Sequence, residues 1–304
     1  MGQRSFHDEI SGNRRSSILL VAILTLIVVA LVTSMAYMYD PGALIFVIPI
    51  SVFFMLTYSY SSYMYGDRVV LSATGARPAD EREHLYLRDT VEGVSLAAGI
   101  PPPKVYVISS DEINAFATGR DPEHASVAVT TGLMKVLDRQ ELEGVIAHEV
   151  SHVRNRDVSF MTLVAVLVGL TAILSHIIIR TYRFRAITGD RSRGSRERKS
   201  GLDVAILAVG IIFAIFAPLL TRMVQFAFSR RREYLADASG AELTRYPDGL
   251  ADALEKIKEH NRGKMDVSEA VSHIFLVDPN KSALDSLYAT HPPLDERIKR
   301  LRAM

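Results

Sequence analysis

The chain has no cysteine, so neither a disulfide nor a thiolate metal ligand is available to it. Any metal it holds must be bound through histidine and carboxylate. A marked net charge is lacking too. The 35 Lys and Arg stand against 34 Asp and Glu, for a formal charge of +1, which says little about partners because the basic residues lie in local blocks. What the sequence does have is apolar residues, 48% of the total, gathered into runs. That clustering and a positive mean hydropathy point to a membrane protein, with 304 residues enough for one large domain or two small ones.

Residues 138–157 carry the densest chemistry. Val136, Leu137, Leu142, Val145 and Ile146 recur at the spacing of a helix with one buried face. Asp138 followed three residues later by Glu141 reads as the capping box that starts it. On such a helix His148 and His152 lie one turn apart on the same face and can reach one cation. Glu149 is too close in sequence to join a comfortable three-ligand set, and is better placed to hold the water that a metal activates. This is the HExxH pattern of zinc hydrolases. A solvated helix face is the plain alternative, and a third ligand decides between the two. Glu233, in Glu233-Tyr-Leu-Ala-Asp237, offers one from a second helix and leaves a fourth position open for water. Its ordinary alternative is an ion pair with Arg230 or Arg232. Asp237, one turn further on, is placed to accept a hydrogen bond from a ligand histidine and fix its tautomer.

With these residues the sequence resembles the HtpX-type membrane zinc metalloproteases, gluzincins related to the CAAX prenyl proteases. The matching segments are His148 to His152, Glu233 to Asp237, Asn114-Ala115-Phe116-Ala117-Thr118-Gly119 and His291-Pro292-Pro293-Leu294, in the same order over nearly the whole chain. The resemblance implies a membrane-anchored zinc endopeptidase with one Zn2+ per chain. Its substrates would be polypeptides, above all misfolded or damaged membrane proteins removed in quality control. The resemblance also assigns Asn114, Ala115, Phe116 and Ala117 to an edge strand that pairs with an extended substrate; an ordinary structural hairpin is the alternative. His291, by itself a surface histidine, becomes a candidate donor to the transition-state oxyanion, with Arg297 nearby in support.

In chain order, residues 1–17 are polar and read as a cytoplasmic tail. Residues 18–39 are uncharged and long enough to cross a bilayer. They are too long for a signal peptide and are followed at once by a second span. Asp40-Pro41-Gly42 makes a turn, so 18–60 is a transmembrane hairpin, and Arg14 and Arg15 place both its ends in the cytoplasm. Residues 61–157 and 224–304 form the zinc protease domain. Within it Ala79 to Ala98 reads as an amphipathic helix ended by Gly99 and the prolines beyond. Val105 to Ile108, Asn114 to Gly119 and Val127 to Thr130 read as short strands. A helix begins at Pro247 and carries Leu250, Leu254 and Ile257. Residues 270–277 pack as an apolar segment, and Leu294, Ile298 and Leu301 mark a last helix.

Residues 158–223 are an inserted hydrophobic hairpin. Its runs, 158–179 with a packed His176 and 204–221 with a kink at Pro218, flank a basic loop at 180–203. Anionic lipid headgroups suit that loop better than nucleic acid, since no aromatic platform accompanies the charge. The two zinc motifs flank the hairpin and must share a compartment. Full crossing by both runs would leave the basic loop outside, against the positive-inside tendency, whereas a shallow or protein-buried hairpin satisfies both. Its depth stays open. The expected protein is a mainly α, multi-pass protein of the cell membrane, with its active site facing the cytoplasm. It has a zincin-like α+β protease domain with a small sheet, plus up to four transmembrane or intramembrane helices. Two other functions remain: a non-enzymatic membrane adaptor with structural zinc, and a prenyl-protein protease, for which the apolar runs offer few walls. The oligomeric state is not legible.

Overall fold

Residues 44–66 carry no charge, and the chain there forms helix α1, Leu44–Ala73, about 45 Å long. Among the described residues it is the one helix long and apolar enough to cross a membrane. The structure, a computed structural model, describes residues 41–170, 230–265, 267–280 and 292–304, with scattered helical positions between 19 and 33. His176, the basic loop, the fourth apolar run and His291 therefore lie outside the described residues, as does the third run beyond residue 170. Where a span was expected to end at residue 60, α1 runs on unbroken to Ala73. The Tyr- and Ser-rich stretch after residue 57 permits helix, and the last turns are held by burial of Val70 and Leu71.

Next come strand β1, Arg77–Pro78, and helix α2, Leu85–Ala98. The sequence suggested a helix from Ala79. Instead Ala79 donates its N–H to Val105 O, and the Asp80 carboxylate accepts from the N–H groups of Arg82 and Glu83, which holds a turn and delays the helix. Strands β2 (Lys104–Ile108), β3 (Ala115–Gly119) and β4 (Ala125–Thr130) complete a mixed sheet in the order β1-β2-β4-β3. β2 and β4 are parallel; the other pairs are antiparallel.

Helices α3 (Thr131–Val136) and α4 (Arg139–Arg154) follow, then α5 (Asp157–Leu170). Beyond the undescribed stretch come α6 (Arg230–Thr244), α7 (Pro247–His260), α8 (Glu269–Ser272) and α9 (Leu294–Leu301). The period-two alternation of the strands divides the interior. Ala115, Ala117, Val127 and Val129 face one core with α2, α4 and α7, while Phe116 and Ala128 face a second with α1, α5 and Phe275. The sheet thus stands between the α4 helix layer and the apolar helices. Within the former, Gly144 lets α7 approach α4: a Cβ there would lie 2.6 Å from Leu250 N.

Candidate metal centre

Helix α4 starts as its sequence dictates. Asp138 accepts from the N–H groups of Gln140 and Glu141, and the Glu141 carboxylate accepts from Asp138 N–H. Two and a half turns later the same helix presents His148 and His152, their Nε2 atoms 3.2 Å apart and both rings buried. Helix α6 meets this face at Gly240, where a Cβ would lie only 3.1 Å from His148 N. That close approach brings in Glu233, one Oε 3.5 Å from His152 Nε2 and the other 3.8 Å from His148 Nε2. The candidate ligand atoms of His148, His152 and Glu233 all fall within 4.8 Å of one another.

The opposite nitrogen of each imidazole is held by an aspartate. His148 Nδ1 is 3.0 Å from Asp237 Oδ1, and His152 Nδ1 is 3.1 Å from Asp157 Oδ2. Arg297 enters from α9 and is fully buried. It grips Asp237 with Nε at 2.9 Å and Nη2 at 2.7 Å, and its Nη1 lies 3.6 Å from Glu233 Oε2. Burial alone would raise the Asp237 carboxyl, but the guanidinium outweighs it and holds the group below the usual carboxylate range. His148 is pulled down to about 4, first by burial and then by Arg297, against the Asp237 hydrogen bond. Burial would lower His152 as well; there the Asp157 hydrogen bond and the Glu233 charge prevail and push it up to about 9. Glu149 is 2% exposed and close enough to act electrostatically on both His152 and Arg297.

These residues fit a divalent metal. With each Nδ1–H committed to an aspartate, both Nε2 lone pairs point into the same small space, a repulsive arrangement unless a cation stands between them. Metal bonds of about 2.0–2.1 Å would set tetrahedral ligand atoms about 3.3–3.4 Å apart, and the two Nε2 atoms at 3.2 Å lie close to that. Charge agrees. Four buried carboxylates, Glu149, Asp157, Glu233 and Asp237, gather here, with Arg297 beside Glu233 and Asp237 and Arg232 beside Asp157, and a dication suits so acidic a cluster.

The expected ligand residues and Asp237 thus come together, with Asp237 on His148. Arg297 is nearby, though spent on Asp237 rather than facing open space. Asp157 was not anticipated. The only local signal for it was an acidic residue directly ahead of an apolar run. The expected edge strand meets an occupied edge. β3 does lie at the border of the sheet, but Leu276 N–H donates to Ala115 O at 2.8 Å, and Phe116 bridges to Phe275. The Asn114 side chain exchanges hydrogen bonds with Val277 N–H and C=O, at 3.3 and 2.9 Å.

Comparison with known proteins places this geometry. Residues 81–304 match peptidase family M48. A protease HtpX homolog of Caldanaerobacter subterraneus subsp. tengcongensis is 41% identical over 304 residues, covering 100% of this chain and 99% of that protein. One from Listeria monocytogenes serotype 4a is 41% identical over 305 residues, covering 98% and 99%. The crystal structure of S. mikatae Ste24p shares the fold, with a TM-score of 0.52 at 21% identity, covering 94% of this chain and 64% of that one. A buried His-His-Glu cluster on two helices, inside a match that runs from residue 81 to residue 304, leaves one assignment: the chain belongs to peptidase family M48, as a metalloprotease of the HtpX type.

Proposed function

We propose that the chain is a zinc-dependent endopeptidase of the cell membrane, multi-pass, with its metal centre on the cytoplasmic side. In this reading its substrates are segments of misfolded or damaged membrane proteins. The observation that carries the proposal is the convergence of two imidazoles, Glu233 and the Glu149 carboxylate in one buried cluster. His148, His152 and Glu233 would hold the metal, and two nitrogens with one carboxylate suit zinc. When bound, the metal supplies an acidified water and polarises the scissile carbonyl. Glu149 would take a proton from the attacking water and return it to the leaving amine. Asp237 and Asp157 each hold an imidazole by its Nδ1–H, which keeps the Nε2 lone pairs facing inward. Arg297 keeps Asp237 ionised and in place. Stabilising the oxyanion then falls to His291, a role that the family resemblance supports. Substrate pairing along Asn114 to Ala117 would require residues 275–277 to be displaced. Anionic lipid headgroups are the natural neighbours of the basic loop at 180–203.

An adaptor with structural metal is disfavoured by the ligand count, since three protein ligands beside a buried carboxylate describe an open site. The test is to purify wild type and Glu149→Gln in detergent under chelator, restore zinc to each, and measure metal content and cleavage of an unfolded protein. Both should bind one zinc. Cleavage by the variant should fall about 10²- to 10⁴-fold. Full activity in Glu149→Gln sinks the general-base assignment.

A further inference from the structure

Asp157 is 2% exposed, and its two oxygens serve different partners. Oδ2 holds His152 Nδ1 at 3.1 Å, while Oδ1 lies 3.8 Å from Arg232 Nη1. Helical spacing does not bring a residue five positions on back over a histidine ring. A corner does it here. Helix α4 ends at Arg154, Asn155 caps it, and Arg156 takes a left-handed backbone with φ of 58° before α5 begins at Asp157. That conformation is disfavoured for a residue with a side chain and persists where the surroundings impose it. Arg232 is built in as well. Its guanidinium lies 5.2 Å over the ring of Phe160, which is itself buried one turn into α5.

We infer that Asp157 is a positioning residue for the metal centre: it fixes the tautomer and orientation of His152, and Arg232 fixes Asp157 in turn. The inference rests on reading His148, His152 and Glu233 as the ligands. Its pattern matches the other side of the site, where His148 is held by Asp237 and Asp237 by Arg297. Each imidazole has its aspartate and each aspartate an arginine, but the two relays are anchored differently. Arg297 comes from α9. Asp157 and Arg232 come from the first residues of α5 and α6, where the chain enters and leaves the apolar insertion. His152 is therefore tied to the relative placement of α5 and α6, and α5 packs on α1.

The test uses the full-length chain in detergent. Zinc affinity is measured by competition with a chromophoric chelator, and the visible spectrum is recorded after loading with Co2+. Asp157→Asn keeps the shape but loses the charge, and should weaken zinc binding about 10- to 100-fold and shift the cobalt bands. The circular dichroism of the metal-free protein should stay unchanged. Asp157→Glu should recover part of the affinity. Arg232→Gln should lose less, in the same direction, and add nothing on top of Asp157→Asn because it acts through that carboxylate. Wild-type affinity in both Asp157→Asn and Arg232→Gln overturns the inference. If Asp157→Asn does not fold, Asp157→Glu and Arg232→Gln decide, and unchanged affinity and cobalt spectrum in both overturn it. His152→Ala separates the two levels: its retention of wild-type affinity would remove the ligand assignment itself, whichever way Asp157 behaves.

Discussion

Helices α1 and α4 place their large apolar side chains differently. In α4 the apolar Val145, Ile146, Val150 and Val153 are inside, together with Glu141, His148, Glu149 and His152. In α1 Phe46, Phe53, Phe54 and Leu56 point outward while Ser51, Ser59 and Ser62 are buried; Phe53 is 71% exposed and Ser62 4%. A helix in water would not hold that arrangement, because a contiguous apolar face would lie in the solvent. In lipid the phenylalanines gain nothing by moving inward, and small residues let neighbouring elements approach. Two of these hydroxyls are satisfied within the helix, with Ser51 Oγ donating to Ile48 O at 2.9 Å and Ser62 Oγ to Tyr58 O at 2.7 Å. For α4 the cost of burying polar groups is met by pairing: His148 and His152 each meet an aspartate, and Arg297 lies against Asp237 and Glu233. Burial in this chain follows the surrounding medium, and polarity alone does not predict it.

That contrast is open to measurement. Ile146→Ala removes a fully buried side chain from the α4 core and should cost about 2–5 kcal/mol of stability in denaturant titrations. Phe53→Arg places a charge where lipid is expected and should oppose membrane integration by about 2.5–3.5 kcal/mol, read in an insertion assay. Insertion unaffected by the arginine would put α1 outside the bilayer. Proton competition sharpens the α4 side. With His152 near 9 and His148 near 4 in the metal-free site, metal binding between those values displaces one proton. Zinc affinity should therefore rise about tenfold per pH unit from pH 5 to 8 and level off above 9. A flat profile over that window would mean that His152 is already neutral without metal. Smallest of all, Phe53→Ala should change stability by less than about 0.5 kcal/mol, because the lost contacts were with lipid or detergent. A cost equal to that of Ile146→Ala would show protein packed over the outer face of α1 and break the comparison.

How far the sequence could be read depended on whether a residue's partner lay at a regular interval. The capping box, the two histidines and the Glu233/Asp237 pair were legible because helical geometry fixes residues three or four apart. The strands showed through their apolar runs, though not the two-residue β1, which exists only because Arg77 and Pro78 find β2. Asp157 was hidden because its contact with His152 depends on a left-handed Arg156, which no periodicity signals. Tertiary pairing also escaped notice where residues 275–277 close over β3, a contact with more than 150 residues of sequence between its partners. The end of α1 was misplaced for a different reason. Tyr58 to Asp67 looks like the polar margin of a span, but nothing in it breaks a helix, and the protein core extends the helix to Ala73.

The burial of Arg297 bears on timing. Its contact with Asp237 joins residues 60 positions apart, and synthesis runs from one to the other. A chain still on the ribosome exposes both histidines, Glu233 and Asp237 before the guanidinium that balances them has been made. The ligands are therefore early and the counter-charge late. A nascent chain therefore carries the candidate ligands before it carries the arginine that anchors Asp237.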